Sequence, residues 1–419
     1  MGNGIRRIFK MKKTTIKKYA RLIVRVGANV QKGQSVIIGC SVDQAEFCAL
    51  VVDECYRAGA KYVTVDWSDD KITRLKYRNE TVKTLSAVLP WQEEKIKWQS
   101  EELPCRIRIV SEDPDGLKGI NPQKMQKVSV NRYKVTKKYS DAMESRYQWT
   151  IAAVPGEAWA KKVFPNLRKS QAIEKLWQAI LETVYVTDDN DPIAEWDKVN
   201  ADFKARCEKL NQDKFEYLEY KSSNGTDFKC WLMPQSKWCG GGENDLNGHF
   251  FNPNMPTIEV FTTPMKGKAE GKVVSTKPLS YRGQLIENFS FTFKDGKVVA
   301  VEAEKGQKIL EEMISSDEGA CMIGELALVP QDSPINNQNI LYYETLFDEN
   351  ASCHIALGRG YRECVEGYEN MTSEELSDLG VNESMIHVDF MVGAPDMSII
   401  GHTFDGRDVQ IFKDGNFVI

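Results

Sequence analysis

Between residues 33 and 67 the apolar positions change period twice. "GQSVIIG" (33–39) carries Val36, Ile37 and Ile38 between glycines, the pattern of a buried strand. "AEFCALVVDECYRAGA" follows with apolar residues at helical spacing, and Ser41 with Gln44 three positions on has the form of a capping box leading into it. "KYVTVDW" then returns to a strand pattern, so the segment predicts a β-α-β unit with a parallel pair. Ahead of it, Ile16, Tyr19, Leu22, Ile23 and Val26 mark the inward stripe of a helix. Helical stretches run on through "SQAIEKLWQAILETVYV" and "EWDKVNADFKARCEKLN". The texture changes at "FEYLEYKSSNGTDFKCWL", which reads as strand, Asn-Gly turn, strand. Further hairpin signals stand at Asp295-Gly296, Asp405-Gly406 and Asp414-Gly415. The expected fold class is α/β with two domains: residues 1–220 with parallel strands, and residues 221–419 as a mixed, largely antiparallel α+β domain that holds the chemistry.

A chain of 419 residues is long for one hydrophobic core, in keeping with two domains. The net charge of -5 leaves no electrostatic footprint for nucleic acid, so small or peptidic partners are expected. Ten cysteines occur without a CxxC pair or zinc-ribbon spacing, and several, such as Cys40, Cys48, Cys55, Cys230 and Cys353, fit reduced core positions of a cytosolic protein. Residues 1–42 hold ten Lys and Arg and no Asp or Glu, which reads as the solvated face of an ordinary helix. "MGNGIR" lacks the Ser or Thr of a myristoylation signal, and no apolar run is long enough to span a bilayer. The expected compartment is the cytoplasm, away from membranes. "WCGGGEN" (238–244) and "GRGYRECVEG" (358–367) lack the spacing of a phosphate loop and are expected to be loop glycines at a pocket rim.

Chemistry gathers in the second half. In "MIHVDFMVG" (385–393), His387 and Asp389 share one face of a predicted strand while Val388 and Phe390 share the other. "PTIEVFTTP" places Glu259 among apolar neighbours, and "ACMIGELALVP" does the same for Glu325. A carboxylate buried alone would neutralise itself, whereas one facing a dication keeps its charge. "LFDENASCHIALGRGY" adds Glu349, His354 and Tyr361, although Glu349, beside Asp348 in an expected loop, also fits a solvated carboxylate. Two imidazoles, one Asp and three Glu form a nitrogen-and-oxygen set suited to Zn, Co or Mn, and six donors exceed what one tetrahedral cation uses. Two cations sharing a carboxylate are therefore expected. His249 and His402 have no nearby carboxylate run and read as loop or surface residues.

With these residues in view, the chain resembles the thermophilic-type metallo-aminopeptidases represented by aminopeptidase T and its PepS-like relatives. The resemblance rests on "NMPTIEVFTTP", "GKVVSTKPL", "IGELALVP", "LFDENASCHIALG" and "HVDFMVG", and extends to the amino-terminal "YARLIVRVGANVQKGQSVII". It implies a two-metal site from Glu259, Glu325, His354, His387 and Asp389, with Glu349 and Tyr361 at the matching acidic and tyrosine positions. It further implies cleavage at a free amino terminus of peptides with broad side-chain tolerance, and a homodimer. Relatives often carry two glutamates before the VFT triplet, where this chain has Ile258; the ligand role then falls to Glu259. In the expected mechanism Glu325 bridges the cations. Glu259, His387 and Asp389 complete one side, and His354 with Glu349 the other. Glu349 also moves the proton, and Tyr361 donates to the carbonyl oxygen. Two rival readings remain: a metal-independent binding module, and another two-metal hydrolase such as a phosphoesterase.

Overall fold

The computed structural model describes residues 11–281 and 284–419. The myristoylation reading of "MGNGIR" lies outside the described residues. The chain divides into two compact units, one running to Lys198 and taking in Gly242–Met255, the other made of Val199–Gly241 and Pro256–Ile419. The expected boundary at residue 220 thus gives way to one inside the helix Pro192–Asp213, and the excursion at Gly242–Met255 had no signal in the periodicity.

Among the described residues, the first unit holds five parallel strands. Their spatial order is Asn254–Met255, Trp149–Ala153, Cys105–Val110, Ser35–Ser41, Tyr62–Ser68. The β-α-β unit forms as expected, Ser35 pairing with Tyr62 in parallel register around the helix Ala45–Ala58. Its capping box does not: Ser41 and Gln44 make no cap hydrogen bond, and Gln44 Nε2 reaches the Pro155 carbonyl at 3.3 Å instead. The amino-terminal helix Lys13–Leu22 buries Tyr19 and Leu22, then widens into a π-turn over Ile23–Gly27. There the Ala28 N–H donates to the Ile23 carbonyl, and the extra residue turns Val24 inward and leaves Val26 half-buried. The Tyr19 hydroxyl is tied to the Ala153 carbonyl at 3.0 Å, and its ring packs against Phe47 and Trp177.

The second unit is built on two antiparallel sheets. Among the described residues the larger has nine strands, and its hairpins sit at the dipeptides named above, with positive φ at both Asp295 and Gly296 and at both Asp414 and Gly415. The smaller has the order His387–Met391, His354–Gly358, Ile323–Leu328, Val260–Thr262, Cys239–Gly240. Val260, Leu326, Leu328, Ile355, Leu357 and Phe390 of the smaller sheet share a core with Phe228, Phe289 and Phe291 of the larger. Phe390 lies 5.0 Å from Phe291 by ring centroids.

All ten cysteines are free and seven are buried. Among the described residues no helix is long and apolar enough to cross a membrane.

Candidate metal centre

The smaller sheet answers why a strand should alternate His-Val-Asp-Phe. Registers set Ala327 opposite His354, Glu325 opposite Ala356, Ala356 opposite Asp389 and Gly358 opposite His387. Residues opposite one another on antiparallel strands point to the same face. One face therefore carries Glu325, His354, His387 and Asp389, with Ala327, Ala356 and Gly358 between them, and the other is the apolar core face. Glu259 joins from the residue before Val260–Thr262, just outside the strand. Gly358 has φ of +107°, and a Cβ there would stand 2.1 Å from the Ile386 carbonyl oxygen, so a side chain has no room beside His387. Gly240 and Gly358, read from the sequence as loop glycines, both lie in strands of this sheet.

The donors fall into two groups, each with its ligand atoms within 4.8 Å of one another: Glu259, Glu325 and His354; and Glu325, His387 and Asp389. Glu325 belongs to both. His354 Nε2 is 3.0 Å from Glu259 Oε2. His387 Nε2 is 3.1 Å from Glu325 Oε2 and 3.3 Å from Asp389 Oδ1. Glu259 thus stands with His354, rather than with His387 and Asp389 as the sequence reading had divided them. Ile258 is buried and donates its backbone N–H to Asn350 Oδ1 at 2.8 Å, leaving the donor position to Glu259.

Backbone carbonyls orient both imidazoles. His387 Nδ1 lies 2.7 Å from the Arg359 carbonyl, and His354 Nδ1 lies 3.3 Å from that of Ser352, so in each ring Nε2 is turned to the carboxylates. Tyr361 sets its hydroxyl 3.2 Å from His387 Nε2 and packs edge-on against Phe261. Its backbone is clamped by buried Thr263, whose Oγ1 accepts from the Tyr361 N–H at 2.7 Å and donates to the Tyr361 carbonyl at 3.0 Å. The side-chain amide of buried Asn382 donates to the Gly358 carbonyl at 2.6 Å, and the Asn382 backbone carbonyl accepts from the Gly360 N–H.

Burial and mutual repulsion show in the titration of these groups. Burial, resisted by the His387 hydrogen bond and reinforced by Asp389, lifts Glu325 to about 7. Burial opposes charge on His354, but the Glu259 hydrogen bond and the surrounding carboxylates outweigh it and raise the imidazole to about 10. Asp389, despite its burial, is held at about 2 by His387. Glu349 is half-buried at the start of a single helical turn, not a solvated loop carboxylate; burial and the charges of Asp389 and Glu259 push it well above the carboxylate range. It stands in neither donor group. Its neighbour Asp348 caps the preceding loop, accepting from the N–H groups of Tyr342 at 2.8 Å and Glu344 at 3.2 Å.

The donor chemistry fits divalent cations. Two imidazoles and three carboxylates crowd one sheet face, and among the described residues buried Asp389 Oδ1 makes no well-formed hydrogen bond beyond its ion-pair contact with His387. A hard oxygen left this way suits a cation. The other histidines do not join: His249 lies in a loop, as expected, and His402 on the strand Ser398–Thr403, and each has a carboxylate beside it. His249 Nδ1 lies 3.0 Å from Asp245, and His402 Nδ1 lies 2.7 Å from Asp408. Sequence reasoning missed Thr263, Asn350 and Asn382, whose only signal was a polar residue inside or beside an apolar run.

A candidate nitrogen-and-oxygen metal centre on an antiparallel sheet suggests the class, and comparison with known proteins supplies it. A family model described as thermophilic metalloprotease (M29) matches residues 12–417. Aminopeptidase AmpS of Bacillus subtilis (strain 168) is 42% identical over 400 residues, 95% of this chain and 97% of that one. Aminopeptidase T of Thermus aquaticus is 36% identical over 407 residues, 96% and 98% of the two chains. The solved structure of wild-type AmpT from Thermus thermophilus matches with a TM-score of 0.89 at 34% identity, covering 97% of this chain and 100% of that one. The chain belongs to the M29 family of thermophilic metalloproteases.

Proposed function

We propose that this chain, a metallo-aminopeptidase of the M29 family, removes the first residue of peptides with a free amino terminus. It does so with broad tolerance for that residue, using water activated by two divalent cations. The observation that carries this reading is the membership of Glu325 in both donor groups, because a carboxylate offers one oxygen to each of two cations. Glu259 and His354 would hold one, His387 and Asp389 the other, and zinc, cobalt or manganese matches these donors. Bound there, the cations make water nucleophilic at neutral pH and polarise the scissile carbonyl.

The chain's own residues supply the rest. The Tyr361 hydroxyl, fixed beside His387, donates to the carbonyl oxygen as charge builds on it. Glu349, outside both donor groups, would accept a proton from the attacking water as a carboxylate and pass it to the leaving amine as a carboxylic acid. Ten free thiols suit a reducing compartment, and we place the enzyme in the cytoplasm as a homodimer, a state that light scattering would check. The deciding experiment is hydrolysis of leucine p-nitroanilide before and after chelation, with cobalt, zinc and manganese added back. Activity should vanish on chelation and return with at least one ion. Inactivity under every metal, or hydrolysis of aryl phosphates in place of the anilide, would overturn the reading.

A further inference from the structure

The parallel sheet of the first unit departs from the rule for its kind. Parallel sheets are covered by helices on both faces, and both faces are accordingly apolar. Val36, Ile38, Ile107, Ile109 and Ala152 make one face so. The other presents Arg106 and Arg108 beside Ile37 and Gly39, with Trp149 and Asp66 flanking them in register. These residues border a cavity of about 310 Å³, open to solvent, whose wall also includes Tyr147 and Gln99.

Two of the cations at this face are neutralised. Lys95 binds Asp66 at 2.6 and 2.7 Å, and Arg108 binds Glu112 at 3.1 Å. Arg106 is held by neutral groups instead: its Nη2 donates to Gln99 Oε1 at 2.7 Å, and the guanidinium lies 5.1 Å from the Tyr147 ring centroid. Among the described residues no carboxylate pairs with it, so a fixed planar cation keeps its charge at an aromatic-walled cavity. Gly39 is the second sign. Its φ lies outside the left-handed region, and a Cβ there would meet no atom within 4 Å, so neither conformation nor packing requires a glycine. A glycine inside a strand commonly marks the close approach of a ligand.

Topology places Gly39 and Arg108 well, while Arg106 and Trp149 stand at the amino-terminal ends of their strands. The strand order puts the reversal of direction between Ser35–Ser41 and Cys105–Val110, and Gly39 faces Arg108 across that junction, towards the carboxyl ends of both strands. Open α/β sheets bind ligands at this point.

We propose that this cavity is a second ligand site, separate from the metal centre. It takes a small molecule with an oxyanion on a planar or apolar body, the oxyanion at Arg106 and the body over Gly39 beside Trp149. The test uses inorganic phosphate and N-acetyl-phenylalanine as probes, the latter having no free amine to be cleaved. Calorimetry on the metal-loaded enzyme compares the wild type with Gly39→Val, whose side chain would project into the cavity, and Arg106→Gln. At least one probe should bind the wild type, and each variant should weaken it by about tenfold or more. Leucine p-nitroanilide turnover should stay within about twofold, since neither residue is among the metal-centre donors. Binding of the aromatic acid alone assigns a carboxylate ligand, and binding of phosphate assigns a phosphorylated one. Binding of neither probe, or wild-type affinity in either variant, overturns the proposal.

Discussion

Glu325 sits on a strand whose six residues are all buried, and its carboxylate is 3% exposed at the residue level. Glutamine keeps the shape and polarity of that side chain but removes the charge two cations would share. Glu325→Gln should lower turnover by about 10³-fold or more while the circular dichroism spectrum stays native, and near-normal turnover would exclude a bridging role. Thr263 works at one remove. Replacing it with valine strips both hydrogen bonds from the Tyr361 backbone and should cut kcat about tenfold with little change in KM, because the tyrosine hydroxyl acts on charge that develops only in the transition state. Thr263→Ser should restore kcat. If serine is as impaired as valine, lost packing rather than the clamp is responsible. The contrast between these two residues sets the limit of what could be read beforehand. Glu259, Glu325, His354, His387 and Asp389 were legible because a charge or imidazole in an apolar run needs a partner. Thr263 and Asn382 were not, because a buried hydroxyl or amide bonding to distant backbone looks like any other polar core residue.

At the scale of the element, the strand His354–Gly358 shows how alternation makes a site. Ile355 and Leu357 face the core, while His354, Ala356 and Gly358 face the donors. Ala356 lies between Glu325 and Asp389, and its small side chain leaves the space between two carboxylates open. Ala356→Leu should place branched carbon there and weaken cation binding about tenfold or more, at a folding cost of about 1–3 kcal/mol. Metal content after dialysis and calorimetric titration would show it; an unchanged stoichiometry and affinity would mean the donors do not converge over Ala356. Periodicity located this strand and its neighbours, and the Asp-Gly turns located the hairpins. Pattern alone did not reveal that strands from five separated segments assemble into one sheet, because pairing between distant segments leaves no local trace. Nor did it foresee the π-turn at Ile23–Gly27 or the unmade cap at Ser41, where tertiary contacts override local preference.

On the scale of the whole molecule, the donor cluster links cation binding to protons and to stability. Glu325, at about 7 against an ordinary 4.5, keeps its proton longer when folded than when unfolded, so its contribution falls as pH rises across that interval. His354, at about 10 against 6.5, contributes fully below 6.5 and loses that contribution as pH rises through 10. Asp389, at about 2 against 3.8, contributes above 3.8 and weakens only as pH falls through 2, outside the working range. Between about pH 6 and about pH 8.5 the Glu325 contribution fades up to about 7 and the His354 contribution fades from 6.5 upward, so the cluster's stabilisation of the metal-free protein declines across the window. Cations require the same donors deprotonated, so their binding strengthens over the same interval and stabilises the folded state by mass action. The gap in Tm between cobalt-loaded and chelated protein should therefore widen by several degrees, on the order of 5 °C, between those pH values. Scanning calorimetry of both forms across the range measures it directly. A gap that stays constant or narrows would show that protons and cations do not compete for one set of side chains, and would separate His354 and Glu325 from metal binding.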